Sequence, residues 1–86
     1  EERTAATVLH KAFGVAQRMR DDGVSDAGQV KREMRSLIAT EPLASIDYVS
    51  IADDRSLLEL DRIEDGAVVS LAVRIGRTRL IDNVSL

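Results

Sequence analysis

The fold is decided by one stretch near the end of the chain, VVSLAVRIGRTRLIDN, which covers residues 68–83. Two runs rich in apolar residues flank a Gly-Arg pair, and glycine at the first position of a two-residue loop suits a type II′ turn. The stretch therefore predicts a β-hairpin that turns at Gly76. With this loop, Ile75 pairs with Thr78, and each residue further from the turn pairs with its counterpart on the other strand.

This register sorts the hairpin into two faces. The face that the rest of the chain must cover carries Val69, Leu71, Val73, Leu80 and Val84. On the outer face, Arg74 lies opposite Arg79, and Arg77 stands beside them in the turn. Like charges directly across a ladder are mildly destabilising, so we expect another group to offset this pair.

Two amphipathic helices precede the hairpin. Segment 2–21 repeats apolar residues at spacings of three and four, and Gly23 can take the left-handed conformation that ends a helix. Ser25 or Asp26 can then cap a second helix that runs to about Thr40. The predicted apolar stripes are Ala5, Val8, Leu9, Ala12, Phe13, Ala16 and Met19 on the first helix, and Ala27, Val30, Met34, Leu37 and Ile38 on the second.

The middle of the chain predicts a strand and a short third helix. Alternation with a period of two begins at Ile46 and continues to Ile51. Asp53 or Asp54 can cap a single helical turn over residues 55–60, whose three leucines would close one end of the core. The predicted fold class is α+β: two N-terminal helices and a short third helix packed on a small three-stranded antiparallel sheet.

Length and composition limit the function classes. Eighty-six residues make a single domain, 1–86, and the absence of cysteine excludes disulfides and thiolate metal sites and indicates a reducing, cytosolic setting. A net charge of -3 argues against nucleic-acid binding, and no apolar stretch approaches the length of a membrane span. Because the chain starts on glutamate and its helical periodicity begins at once, we expect a piece of a longer protein.

No residue pattern predicts a catalytic, cofactor or metal site. His10 is the only histidine, and its helical phase places it away from the apolar stripe, on the solvent side. The five glycines match no phosphate-binding loop, and Gly14 is expected to allow close packing on a neighbouring helix. The acidic residues between 47 and 65 lack the ligand order of a calcium loop and are interpreted as solvated turn residues and helix caps.

Four hairpin residues are candidates for contact with another molecule or domain. Arg74, Arg77 and Arg79 form either a charged tip that discourages edge pairing or a positive patch that leans over an anionic substrate or nucleotide. Asp82 falls on the core side, opposite Leu71, where an unpaired carboxylate would be costly. Either the strand ends there and Asp82 bonds to its own backbone, or Asp82 pairs with an arginine, such as one from a neighbouring domain.

Three segments of the chain resemble the C-terminal domain of pantothenate synthetase. The opening EERTAATVLHKAF (1–13) is similar to the first helix of that domain, IDYVSI (46–51) to one of its strands, and GRTRLIDN (76–83) to its end. Order and spacing agree across essentially the whole chain. The last segment is the most specific.

The resemblance implies an ATP-dependent ligase that condenses pantoate with β-alanine through a pantoyl adenylate, releasing AMP and pyrophosphate in pantothenate (coenzyme A) biosynthesis. ATP and Mg are expected in the full-length enzyme, a cytoplasmic homodimer whose N-terminal nucleotide-binding domain carries His-x-Gly-His and Ser-Ser-Arg motifs. Neither motif occurs here. The resemblance thus implies that this chain is the C-terminal lid domain, which is expected to lack catalytic residues and to be inactive alone.

Two other classes stay open at this point. A stand-alone α+β interaction module would present a contiguous exposed apolar patch. A stand-alone enzyme would need a pocket with convergent polar groups, for which the sequence offers few candidates.

Overall fold

A computed structural model of the chain describes residues 2–86, apart from the side chains of Glu2 and Ala5. Two helices precede three strands along the chain: α1 (Glu2–Asp21), α2 (Ala27–Ile38), β1 (Ala44–Asp53), β2 (Ala67–Ile75) and β3 (Thr78–Ser85). The strands form one antiparallel sheet in the order β1-β2-β3. The predicted α+β class, the two helices and the three-stranded sheet are confirmed.

The end of α1 and the start of α2 lie at residues that capping chemistry favours. Gly23 has a φ of 86°, and the next residue, Val24, donates its N–H to the carbonyl of Met19 at 3.0 Å, closing α1 in the manner of a Schellman motif. Of the two predicted caps, Asp26 caps α2, and its carboxylate accepts the N–H of Gln29 at 3.2 Å. The second helix ends two residues before the predicted Thr40.

The core lies between the two helices and the inner face of the sheet. α1 packs on β2 and β3, and α2 packs on β1. The helix residues that are buried come from the predicted stripes: Leu9, Ala12, Phe13, Ala16, Ala27, Val30, Met34 and Ile38. Ala5, the first member of the α1 stripe, is among the side chains outside the description.

The hairpin register agrees with the prediction at every pair. Pairing runs from Ile75 and Thr78 at the turn to Ser70 and Asn83, and continues to Val68 and Ser85. Gly76 has a φ of 59°, a left-handed conformation that glycine adopts without strain. The inner face of β2 is fully buried. This confirms the prediction that the helices cover the face that carries Val69, Leu71 and Val73.

The predicted third helix over residues 55–60 is wrong. Asp53 does act as a cap, since its carboxylate accepts the N–H of Ser56 at 2.8 Å, but the chain then turns through Leu57, whose φ is 63°. The segment afterwards runs back beside β1, where Leu60 donates its N–H to the carbonyl of Ile51 at 2.8 Å. Of the three leucines, only Leu60 packs against the core, because the turn leaves the other two exposed.

Within residues 2–86, neither α1 nor α2 has the length and the apolar composition that a membrane span requires.

Candidate functional site

The arginines of the hairpin tip have the arrangement that the register predicts. Arg74 lies opposite Arg79 on the outer face, and Arg77 occupies the exposed turn. The expected compensating group is Asp47, whose Oδ2 accepts a hydrogen bond from Nε of Arg79 at 2.6 Å. This hydrogen bond, together with the positive charges of Arg79 and Arg74, lowers the pKa of the Asp47 carboxyl.

Asp47 reaches the arginines because of an irregularity in β1. The register between β1 and β2 shifts between Ile46 and Tyr48, so that one extra residue stands between two that pair with consecutive residues of β2. This extra residue is Asp47. A bulge of this kind redirects a side chain. Here it places the Asp47 carboxylate on the outer face of β1, a position that strict alternation along the strand does not predict.

Asp82, the fourth candidate, lies apart from the arginines. It pairs with Leu71 on the inner side of the sheet, as predicted, but the strand does not end there, since β3 continues to Ser85. Its carboxylate is exposed, and Oδ1 accepts the N–H of Asn83 at 2.8 Å. Asp82 therefore bonds to the neighbouring backbone, which is the bond expected from the first of the two alternatives. Among the described side chains, no arginine bonds to it.

Asp82 stands at the margin of a groove between α1 and β3. The groove has a volume of about 560 Å³. Leu9 and Phe13, which are largely buried, line the groove on the α1 side. Leu80 lines the opposite side from β3. His10 opens on this groove as an exposed residue, in agreement with its predicted position away from the core. The groove therefore combines an apolar interior with a polar rim.

Gly14 lines the same groove, and the predicted reason for this glycine is wrong. Apart from the adjoining residues and backbone of α1 itself, no described atom would lie within 4 Å of a Cβ added at Gly14, so no neighbouring helix packs closely there. Glycine inside a helix costs about 1 kcal/mol relative to alanine. No close packing contact at Gly14 within the described chain accounts for that cost, and the space above Gly14 opens into the groove.

Sequence reasoning also missed the role of Glu59, whose side chain holds the loop after β1 in place through hydrogen bonds. Its carboxylate accepts hydrogen bonds from Oγ of Ser50 at 2.7 Å, the N–H of Ile51 at 3.0 Å and Nζ of Lys31 at 3.1 Å. Burial alone would raise the pKa of Glu59, but these three bonds together lower it. Glu59 therefore joins the loop to β1 and to α2, whereas the sequence alone indicates only solvated turn residues and helix caps among the acidic residues of this region.

The lowered pKa of Glu59 predicts a loss of stability in acid. A carboxyl whose pKa is lower in the folded chain stabilises it above the ordinary pKa of 4.5, and the stabilisation is lost as the pH falls through the folded value. Because the side chain is half-exposed, we expect Glu59→Gln to cost only about 0.5–1 kcal/mol at pH 7, and less at pH 3. Urea unfolding at both pH values measures this, with Glu64→Gln as the control. A cost that does not change between the two pH values would contradict it.

Among the described side chains, which exclude that of Glu2, no three His, Asp or Glu residues are placed to hold a metal ion. Surface features of the described chain include the α1–β3 groove and the arginine tip, which consists of Arg74, Arg77 and Arg79.

Comparison with known proteins then decides the family. A family model described as Pantoate-beta-alanine ligase matches residues 1–85. The chain belongs to the pantoate-beta-alanine ligase family. This confirms the resemblance inferred from the three sequence segments.

Two relatives in this ligase family share about half of their matched residues with the chain. Pantothenate synthetase of Herpetosiphon aurantiacus is 54% identical over 85 residues, which are 98% of this chain and 31% of that protein. The synthetase of Roseiflexus castenholzii is 51% identical over 86 residues, all of this chain and again 31% of that protein. The chain thus spans about a third of the length of these curated relatives.

The fold agrees as well. The crystal structure of pantothenate synthetase from Thermus thermophilus superposes with a TM-score of 0.87 at 30% identity, over 99% of this chain and 30% of that one. The arrangement of α1, α2 and the sheet is therefore that of one part of a solved member of the family.

Proposed function

We propose that residues 1–86 form the C-terminal lid domain of a pantothenate synthetase. The observation that carries this proposal is the match of essentially the whole chain to about 31% of the length of named pantothenate synthetases. The full enzyme would condense pantoate with β-alanine, using ATP to form a pantoyl adenylate. The cysteine-free sequence is compatible with a cytoplasmic enzyme.

In this proposal the chemistry lies outside the chain. A domain that binds ATP needs a loop of backbone N–H groups or basic side chains around the phosphates, and the five glycines here match no such loop. ATP and Mg would therefore bind to the N-terminal nucleotide-binding domain, which would also hold pantoate and β-alanine. The lid would cover that site and exclude water from the adenylate. We propose a homodimer for the full enzyme.

The arginine tip supplies the charge that such a lid would use. The side chain of Arg79 is held by Asp47, whereas Arg77 is exposed in the turn. A tip of this sign is attracted to the phosphates of ATP or of an adenylate, which supports its position over the site in the closed enzyme.

Calorimetry with MgATP tests whether the chain holds nucleotide itself. We expect no heat of binding when MgATP at millimolar concentration is titrated into the 86-residue chain, because the chain lacks a phosphate-binding loop. The intact synthetase under the same conditions is the positive control. Micromolar binding to the 86-residue chain would contradict the proposal that the nucleotide site lies elsewhere.

The lid contact predicts a modest and salt-dependent effect of Arg77→Ala. In the intact enzyme, removing one exposed charge should slow turnover roughly two- to tenfold if closure limits the rate, which corresponds to about 0.5–1.5 kcal/mol. The loss should shrink as salt rises, since screening acts over about 10 Å at ~0.1 M ionic strength.

Steady-state kinetics at two salt concentrations measure this effect. Lys11→Ala, which removes an exposed charge from α1, is the matched control. Unchanged rates for Arg77→Ala at both concentrations would leave the tip with no function beyond discouraging edge pairing.

A further inference from the structure

We propose that the groove between α1 and β3 is where the remaining part of the synthetase docks on this domain, through an apolar segment that carries a basic side chain. This inference rests on the proposed function, since it requires that the chain be one domain of a longer enzyme. The occupant is the rest of the same polypeptide.

The first argument is that two helices do not fully cover three strands. Leu80 pairs with Val73 and Val84 pairs with Val69, so all four side chains share the inner face. The two valines of β2 are fully buried, but Leu80 and Val84 on β3 are only half-buried. The apolar surface left uncovered on β3 faces the groove, where a further element could bury it.

The second argument is Gly14. It lies in the middle of a 20-residue helix and lines the groove, yet its missing side chain would meet nothing within 4 Å. In an isolated α1, alanine at position 14 would stabilise the helix more than glycine does. A glycine at this position is explained if another backbone approaches α1 closely at that point, because even one methyl group would then be in the way.

The third argument is charge. Asp82 brings an exposed carboxylate to the groove, and one of its oxygens already accepts the N–H of Asn83. The other polar side chains at the rim, His10 and Gln17, come from α1. No lysine or arginine lines this groove among the described residues. A lysine or arginine on the incoming segment would therefore complement Asp82.

The length of the relatives favours the same polypeptide over a second copy of this chain. The matched part is 31% of the synthetases of Herpetosiphon aurantiacus and Roseiflexus castenholzii, so more than two thirds of each lies outside it. A domain attached to so large a body meets it at some surface, and contacts between domains of one chain bury about 600–1,500 Å². The groove is an uncovered apolar surface that is continuous with the core.

Cysteine labelling in the full-length synthetase tests the proposal, because this chain has no cysteine of its own. Gln17→Cys places a thiol on the groove, and Ser36→Cys places one on the exposed side of α2, also in the second half of a helix. Without ligands, we expect a maleimide to modify position 17 at least tenfold more slowly than position 36, as read from the masses of the two peptides. Equal rates would overturn the proposal.

Two further variants identify the occupant. Gly14→Gln projects a side chain from the groove lining, and its Cβ has no side-chain neighbour of this chain within 4 Å, so it should block docking and bring labelling of position 17 up to the rate of position 36. Asp82→Lys should raise this labelling as well, by repelling the basic side chain. If Asp82→Lys leaves the protection unchanged, the basic partner is wrong. If Gly14→Gln also halves the mass measured by light scattering, the occupant is a second copy and the proposal is overturned.

Two measurements on the same protein distinguish a failure of this inference from a failure of the proposed function. Pantothenate formation by the Gln17→Cys enzyme reports on the function, and the labelling ratio reports on docking. An active enzyme with equal labelling at both positions would overturn the docking alone. An enzyme that forms no pantothenate, even before any substitution, would overturn the proposed function and this inference with it.

Discussion

Leu71→Ala is expected to lower the free energy of unfolding of this chain by about 2–4 kcal/mol. Leu71 is fully buried on the central strand, and its neighbours across the ladder are Val49 and Asp82. Removing its side chain loses the transfer free energy of three carbon atoms and leaves a cavity that the surrounding core fills only in part. A domain of this size has about 5–10 kcal/mol of stability, so the loss is a large share of the total.

The matched control is Leu58→Ala, the same substitution at a leucine that is 68% exposed. It should change the free energy of unfolding by less than about 0.5 kcal/mol, as surface substitutions do. Urea unfolding of both variants and of the unmodified chain gives the comparison. Equal effects of the two substitutions would contradict the register that places Leu71 in the core.

The hairpin and the two helices could be predicted from the sequence because local rules determine them. The two-residue loop at Gly76 sets every cross-strand pair, including Arg74 with Arg79 and Leu71 with Asp82. For the same reason, the outer position of the arginines and the inner position of Asp82 followed from the sequence.

The loop after β1 could not be predicted in this way. Asp53 followed by polar residues is compatible with a helix cap and also with a turn, because both use a carboxylate to accept nearby N–H groups. The outcome depends on bonds between residues eight or nine positions apart, from Glu59 to Ser50 and Ile51. A sequence pattern that is read one segment at a time does not show these hydrogen bonds.

The candidate site was predicted only in part, for a similar reason. The need for a charge to offset Arg74 and Arg79 was visible in the register, but Asp47 meets it through a bulge in β1 that strict alternation hides. The groove beside Gly14 depends on how α1 lies over the sheet, which periodicity does not specify.

Loss of the whole domain should have the largest effect on activity. Deleting the 85 matched residues from the Herpetosiphon aurantiacus synthetase should reduce pantothenate formation at least about 100-fold, since loss of the proposed lid would expose the proposed adenylate to water and disturb the positioning of the reactants. The 86-residue chain alone should form no pantothenate, because the proposed chemistry lies in the part that it lacks.

The most direct measurement is pantothenate formation by a graft, in which this chain replaces those 85 residues of the Herpetosiphon aurantiacus enzyme. The two segments are 54% identical, so the graft should fold and form pantothenate within about tenfold of the natural rate. A second graft that carries Leu71→Ala should be less stable to heat and otherwise retain activity at low temperature. A soluble, folded graft as inactive as the deletion would contradict the claim that this chain is the lid domain of a pantothenate synthetase.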